Sequence, residues 1–413
     1  MLEGGLAIEE STSSLIYGFF TGFVYFTPLI GGWLADNYIG QRKAITIGGI
    51  TMMLGQFALF AFNTQAGLYL GLFLLIIGNG FFKPNISTLV GRLYKDGDPK
   101  RDSAFSIFYM GINLGAFLAP LVIGYVSDDL FSVKDASGNI ITYGYKYGFL
   151  ASGIGMLLGQ ILFNMLAQKH LGNLGVKPAK HDKQEGDTVD HNKPLTHEEK
   201  QRMTVIFILT AFVVFFWAGF EQAGSSISLY TDKFINRTVG DFTIPTAWFQ
   251  SVNPLFIVAL APLFAWFWTT PMGNKMSTPV KMGLGMILLG FGFFFMLGAV
   301  MERGGDIEDQ SVKAGLHWLV ITYFIHTIGE LCLSPVGLSV VTKLAPVKFA
   351  SLMMAVWLLS SFLANIIGGF VAAYVEKLGA QSIFTIIASL VIFMGLLMIA
   401  LKKPILRMMH GVR

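Results

Sequence analysis

The sequence predicts an all-α membrane protein of two helical bundles with about eleven transmembrane helices. Three observations predict it. Of 413 residues, 54% are hydrophobic and only 13% charged, against about 25% charged in a soluble domain. Apolar runs recur that match the roughly 20 residues of helix needed to cross a hydrocarbon core. Strand-period alternation is absent, which argues against a membrane barrel.

Taken in order, the first bundle (residues 1–168) holds five expected spans. Residues 14–35 stop at Asp36; 44–63 follow Arg42-Lys43; 67–91 end at Arg92; 103–126 follow Lys100-Arg101; 145–168 end at Lys169. The second bundle (203–413) holds six: 203–230, 247–270, 281–301, 315–341, 350–376 and 380–401, bounded by Arg202, Pro271, Arg303, Lys343, Lys377 and Lys402 among others. Residues 169–202 join the bundles. They carry four of the seven histidines with Pro178 and Pro194, and read as a solvated cytoplasmic linker rather than a metal site, since no ligand spacing fits.

Orientation follows from the loops. Alternate loops hold 21 and 7 of the 29 lysines and arginines, with Lys83 left inside a span. The rich side is expected to be cytoplasmic, which places the C-terminus inside and Met1 outside. The net charge of +4 therefore reflects membrane topology and not nucleic-acid binding. A single cysteine, Cys332, allows no intramolecular disulfide, and Glu3, Glu9 and Glu10 before the first run do not form a basic leader.

The halves resemble each other faintly. Pro28-Leu29-Ile30 precedes a span end and Gly40-Gln41-Arg42; Pro262-Leu263-Phe264 precedes one and Gly273-Asn274-Lys275. Parallel repeats of six helices are the plan of a secondary transporter with its site between the halves at the midplane. By this register, the missing twelfth span is the first, partner of the span bearing Glu221.

The in-membrane chemistry centres on Glu330. A carboxylate at mid-span costs about 2.5–3.5 kcal/mol, which marks a functional site. His326 and Ser334 flank it at helical spacing, and Pro335 withholds an N–H from the Leu331 carbonyl, so a weakened or kinked helix is expected there. Lys83 lies nine residues before Arg92, roughly 13 Å of helix and beyond easy snorkelling, and is expected to face the protein interior and an anion. Glu221 is a candidate proton carrier or outer-gate residue. Tyr25, Asn113 and Asn253 fit a polar cavity, and Trp357 and Ser361 share a helix face.

Several stretches resemble a known family. Gly31 to Lys43 (Gly-Gly-Trp-Leu-Ala-Asp-Asn-Tyr-Ile-Gly-Gln-Arg-Lys) resembles the cytoplasmic loop signature of the major facilitator superfamily, in which Asp36, Gly40 and Arg42 would stabilise one conformation. Phe108-Tyr109-Met110-Gly111-Ile112-Asn113-Leu114-Gly115, Phe81-Phe82-Lys83-Pro84-Asn85, Phe220-Glu221-Gln222-Ala223-Gly224-Ser225-Ser226 and Gly329-Glu330-Leu331-Cys332-Leu333-Ser334-Pro335 are similar to motifs of the proton-dependent oligopeptide transporters. The resemblance implies the major facilitator fold of twelve helices and symport of di- and tripeptides with protons across the bacterial inner membrane, by alternating access and without another cofactor. It implies Lys83 near the peptide carboxylate, Glu330 with Asn253 at the amine, and Tyr25, Asn113, Trp217, Trp357 and Ser361 lining the pocket. Glu221, with Lys83 and Glu330, would couple the proton. The expected partners are small peptides, protons and the lipid bilayer, with the chain a monomer or weak oligomer.

The family's first helix carries Glu-x-x-Glu-Arg, and nothing here matches it. Residues 1–13 are expected to be the remnant of the loop after that helix, in a truncated chain or a late-start gene product, with a naturally shortened protein as the alternative. Two other readings stand beside peptide symport: a symporter of another small anion or amino-acid derivative, and a non-transporting relative that only binds ligand or partners. An enzyme is not expected, because no nucleophile and base lie at reaction spacing and no metal-ligand cluster is seen.

Overall fold

The structure is a computed structural model and describes residues 5–93, 100–136, 140–178, 194–307, 309–346 and 349–412. Residues 179–193 of the expected linker thus lie outside the described residues, as do Lys95 and Lys348 of the charged loops. Among the described residues, eleven helices are long and apolar enough to cross a membrane.

Five begin the chain: α1 (Glu10–Leu34), α2 (Gln41–Ala61), α3 (Gln65–Gly91), α4 (Lys100–Tyr125) and α5 (Tyr145–Leu171). The antiparallel pair β1 (Val133–Lys134) and β2 (Ile140–Thr142) joins α4 to α5. Then α6 (His197–Phe220) breaks at a 3-10 turn, Glu221–Gly224, before α7 (Ser226–Phe234). A second hairpin, β3 (Thr238–Val239) and β4 (Phe242–Thr243), leads to α8 (Val252–Thr269), the short α9 (Pro271–Lys275), α10 (Thr278–Glu302), α11 (Leu316–Leu344), α12 (Ala350–Ala373), α13 (Val375–Ala400) and α14 (Lys402–Met408).

Three local features depart from the sequence expectation. The start of α6 reaches back into the expected linker, because Thr196 and Glu199 form a capping box: the Thr196 hydroxyl accepts the Glu199 N–H at 3.2 Å and the Glu199 carboxylate accepts the Thr196 N–H at 2.8 Å. The span expected at 203–230 is interrupted at Glu221. And α11 runs on through Pro335 without losing its helical assignment. The gap expected between the spans 350–376 and 380–401 is a break within α13: Gly379 has φ +80°, and the Asp306 carboxylate takes the Gln381 N–H at 3.1 and 3.2 Å, capping the helix as it restarts.

The chain divides into two compact units, Met1–Glu9 with Phe20–Asp187 and Glu10–Phe19 with Thr188–Arg413. The first turns of α1 thus belong with the second unit. Glu10 pairs with Lys233, Phe19 meets Phe370 edge-on at 6.0 Å, and Gly18 faces Gly369 so closely that a Cβ on Gly18 would lie 2.6 Å from the Gly369 Cα.

Helix contacts within each unit are made backbone to backbone. Apolar side chains gain little by leaving lipid for protein, so small residues and van der Waals contact drive association. In the first unit, a Cβ on Gly48 of α2 would stand 2.6 Å from the Gly78 carbonyl oxygen of α3. In the second, Gly285 of α10 faces Gly329 of α11 and Gly283 faces Gly395 of α13, with hypothetical Cβ atoms 2.6 and 2.7 Å from the facing carbonyls. Around these crossings Phe216, Leu289, Phe293, Met296 and Phe384 pack fully buried.

Gly285→Leu should lower the Tm of the detergent-solubilised protein, corresponding to a loss of about 1–3 kcal/mol from overpacking. Phe291→Leu, on an exposed face of the same helix, should change stability by less than about 0.5 kcal/mol. A thermal-unfolding series on the two variants checks both.

Candidate functional site

In the second unit, α11 presents Tyr323, Thr327 and Glu330 at helical spacing. The Thr327 hydroxyl donates to the Tyr323 carbonyl at 2.7 Å, which leaves its lone pairs free to accept. Asn253 of α8 supplies the donor: its Nδ2 reaches Thr327 Oγ1 at 3.0 Å and Glu330 Oε2 at 2.9 Å. Asn253 sits in the first turn of α8, followed by Pro254, whose missing N–H costs no helix hydrogen bond there. The carboxylate is thus held through one oxygen by an orienting amide, in the middle of an apolar span.

The helix break at Glu221–Gly224 would leave polar backbone exposed to an apolar surrounding, a costly condition unless partners are found. Gln222, fully buried, supplies several of them. Its Nε2 donates to the Ala218 and Gly368 carbonyls at 2.9 and 3.2 Å, and its Oε1 accepts from the Ser226 hydroxyl at 2.6 Å. The Ala223 carbonyl accepts from Gln250 Nε2 at 2.7 Å and from the Tyr323 hydroxyl at 3.4 Å. Breaking the helix here opens a cavity of about 130 Å³ whose lining includes Tyr17, Glu221, Gln250, Asn253, Tyr323 and His326. Glu221 lines this cavity together with Tyr17 and with Asn253, the donor to Glu330.

Other expected residues take different places. His326 is wedged against α10, its ring 4.8 Å from that of Phe293 and so close to Gly292 that a Cβ there would overlap it. Positions four apart on a helix differ by about 40° in direction, enough for His326 to meet α10 while Glu330 meets α8. Trp217 is half-buried, edge-on to Phe216 and Phe220 at 5.2 and 5.3 Å. Trp357 lies in the core with only 7% of its surface exposed, its ring covering Gly337 of α11. Ser361, one turn on, gives its carbonyl to Asn365 Nδ2 at 2.9 Å.

In the first unit, the Lys83 ammonium lies 4.3 Å over the Tyr25 ring, a cation–π contact across α3 and α1. It is exposed, not enclosed by the helices of its own unit as its depth had suggested. The reason is that Gly31 and Gly80 draw α1 and α3 together at Thr27 and Asn79, whose side chains reach the Ile76 and Val24 carbonyls at 2.9 and 2.8 Å. That leaves Lys83 on an accessible face of α3. Asn113 is buried, and its Nδ2 donates to the Tyr109 carbonyl of its own helix at 2.9 Å.

The loop motif is a linked set. Gly40 has φ +81°, a conformation glycine adopts without strain. Gln41 Nε2 donates to Asp36 Oδ1 at 3.3 Å and Arg92 Nη1 donates to Gln41 Oε1 at 2.8 Å. Arg42 reaches Gln168 Oε1 and the Gly172 carbonyl. Asp36 and Arg42 thus act through Gln41 and the end of α5 rather than on each other. The sequence reading missed Tyr17, Gln222, Gln250, Tyr323 and Thr327. Only Gln222, a second polar residue beside Glu221, carried a local signal.

Comparisons with known proteins follow the same lines. The sequence profile of the POT family matches residues 42–183 and 180–389. The chain is 35% identical to the uncharacterized transporter YclF of Bacillus subtilis (strain 168), spanning 100% of this chain and 89% of that protein. It is 32% identical to the peptide transporter YePEPT of Yersinia enterocolitica, again across 100% and 89%. Among solved structures, it resembles a peptide transporter POT in complex with sulfate (TM-score 0.86, 33% identity, 99% of this chain and 89% of that one). It also resembles a POT family transporter in complex with 5-aminolevulinic acid (TM-score 0.84, 27% identity, 97% and 89%).

Gln222→Leu should destabilise the protein by about 1–3 kcal/mol, because it strips donors from the Ala218 and Gly368 carbonyls and an acceptor from Ser226. Gly40→Ala should cost about 1–3 kcal/mol through left-handed backbone strain. Thermal unfolding of each purified variant is the measurement.

Proposed function

The chain belongs to the POT family of proton-dependent oligopeptide transporters, and from this we infer that it carries di- and tripeptides across the membrane by symport with protons. The observation that carries the reading is Glu330, an ionisable group inside an apolar span whose carboxylate is oriented by Asn253. A short peptide is a zwitterion with its ends a few ångströms apart, since each residue spans at most about 3.6 Å. A fixed cation and a fixed anion therefore select both its polarity and its length, while the side chains between them vary.

In this proposal Lys83 takes the peptide carboxylate, with Tyr25 holding the ammonium in place, and Glu330 with Asn253 takes the amine. Asn113, Trp217, Trp357 and Ser361 line the pocket, with Trp357 packed over Gly337. Glu221, felt electrostatically at Glu330, carries the coupling proton together with Lys83 and Glu330. Asp36, Gly40 and Arg42 hold the loop between α1 and α2 in one conformational state. The chain moves its substrate without altering it and uses no cofactor beyond the proton.

The protein is a multi-pass membrane transporter. Its family supports a place in the bacterial inner membrane, and the distribution of lysine and arginine supports a cytoplasmic C-terminus. A monomer or weak oligomer is sufficient for the activity.

Labelled dialanine should accumulate in liposomes containing the chain when an inward proton gradient is applied. Glu330→Gln should reduce this by roughly thirtyfold or more, the consequence of removing one partner of a buried charge contact. N-acetyl-dialanine, lacking the amine, should not compete; equal competition would overturn the role of Glu330. Glu221→Gln should abolish the response to the gradient while leaving peptide binding, and full gradient-driven uptake in this variant would exclude it as the carrier. A C-terminal reporter that is active only in the cytoplasm should be active.

A further inference from the structure

A second cavity, of about 540 Å³, lies in the first unit between the start of α2 and the end of α5. Its walls include Arg42, Lys43, Thr46 and Ile47 of α2 and Asn164 and Gln168 of α5. None of the symport roles above uses this groove, although Arg42 reaches it from the loop motif.

Its chemistry is graded along the membrane normal. At the loop end, Arg42 Nη1 donates to Gln168 Oε1 at 3.2 Å and to the Gly172 carbonyl at 2.6 Å. Both acceptors are neutral, so the guanidinium is oriented without being neutralised. Lys43 is exposed beside it. The Arg42 N–H also donates to the Gly175 carbonyl at 2.9 Å, which folds the turn after α5 against α2 and brings the exposed Lys177 to the same end. Among the described residues lining the groove there is no carboxylate.

About one turn deeper, roughly 6 Å along α2, the character changes from charge to hydrogen bonding. Thr46 Oγ1 donates to Asn164 Oδ1 at 3.0 Å, and Gln160 Nε2 donates to the same oxygen at 3.1 Å. The Asn164 oxygen is thus used twice, while its NH2 group remains available to donate from an exposed position. Deeper still, Ile47 and Ile50 of α2 and Leu158 and Leu162 of α5 are exposed apolar side chains on membrane-spanning helices.

Cations, then an amide donor, then an apolar track is the order in which a phospholipid presents phosphate, glycerol ester and acyl chain. We propose that the groove between α2 and α5 binds an anionic phospholipid, its phosphate at Arg42 and Lys43, its ester carbonyl at Asn164 and its acyl chain along Ile47 and Leu162. Basic pockets between membrane helices at the cytoplasmic face recognise such headgroups. A free phosphate ion would use the cations alone and leave the amide and the apolar walls without a role. A choline headgroup would bring its own cation to a site that already holds two, Arg42 and Lys43. The site is separate from the peptide contacts, so its occupancy and peptide transport are measured independently.

The test uses the full chain, purified and delipidated in detergent, titrated with phosphatidylglycerol or with phosphatidylcholine of the same acyl chains, and read by native mass spectrometry. Phosphatidylglycerol should bind at least fivefold more tightly, and Lys43→Gln should weaken it by about fivefold while Lys43→Arg retains it. Asn164→Leu should weaken both lipids, since the ester contact is common to them. Inorganic phosphate in large excess should not displace the lipid. Equal binding of the two lipids, binding unchanged in both Lys43→Gln and Asn164→Leu, or displacement by inorganic phosphate would overturn the proposal, the last by revealing a free-anion site. Tm values recorded for each variant separate a lost contact from a lost fold, and Lys43→Arg failing as badly as Lys43→Gln would also count against the charge reading.

Discussion

The backbone contact between Gly285 of α10 and Gly329 of α11 is the constraint from which the second unit's chemistry follows. In a bilayer, burying one more leucine gains little, because lipid is as apolar as the protein interior. Helices therefore find each other by shape, and two glycines allow the closest approach. With Gly329 seated on α10, the next residue, Glu330, is placed where Asn253 of α8 can hold one of its oxygens. A larger residue at either glycine would push α11 outward and take the carboxylate away from its donor. Packing at one position thus decides electrostatics at the next.

The break between α6 and α7 shows the opposite strategy. There the backbone gives up helical hydrogen bonds, and side chains from the break itself, the turn before α8 and α11 make them good. Gln222 ties the break to α12, and Gln250 and Tyr323 share the Ala223 carbonyl. The result is a small polar space beside Glu221 inside an otherwise apolar unit, with Asn253, the donor to Glu330, on its wall. Such a space keeps the broken backbone supplied with polar partners without opening the helices to lipid.

The first unit uses its charges differently. Lys83 stands over an aromatic ring and stays accessible. Arg42 and Arg92 instead gather the loop after α1, the start of α2 and the end of α5 into one hydrogen-bonded set through Gln41 and Gln168. The same set leaves Arg42 and Lys43 lining the groove between α2 and α5.

Much of this was legible from the residues alone. Span number, loop charge and the prominence of Glu330, Lys83 and Glu221 follow from the cost of taking a charge or an open backbone into hydrocarbon, a cost paid locally and so written locally. The motifs around those residues also carried the family. What the chain order did not disclose was partnership. The pairing of Asn253 with Glu330, 77 positions apart, came only with the family resemblance, and nothing pointed to Gln222 reaching the carbonyl of Gly368, 146 positions away. Neither asparagine nor glutamine announces which helix face it will meet. The grouping of Glu10–Phe19 with the second unit, the turn of His326 toward α10 and the burial of Trp357 over Gly337 were likewise decided by tertiary packing. These depend on where two glycines let helices close, and that is a property of pairs of surfaces, present in no single stretch of sequence.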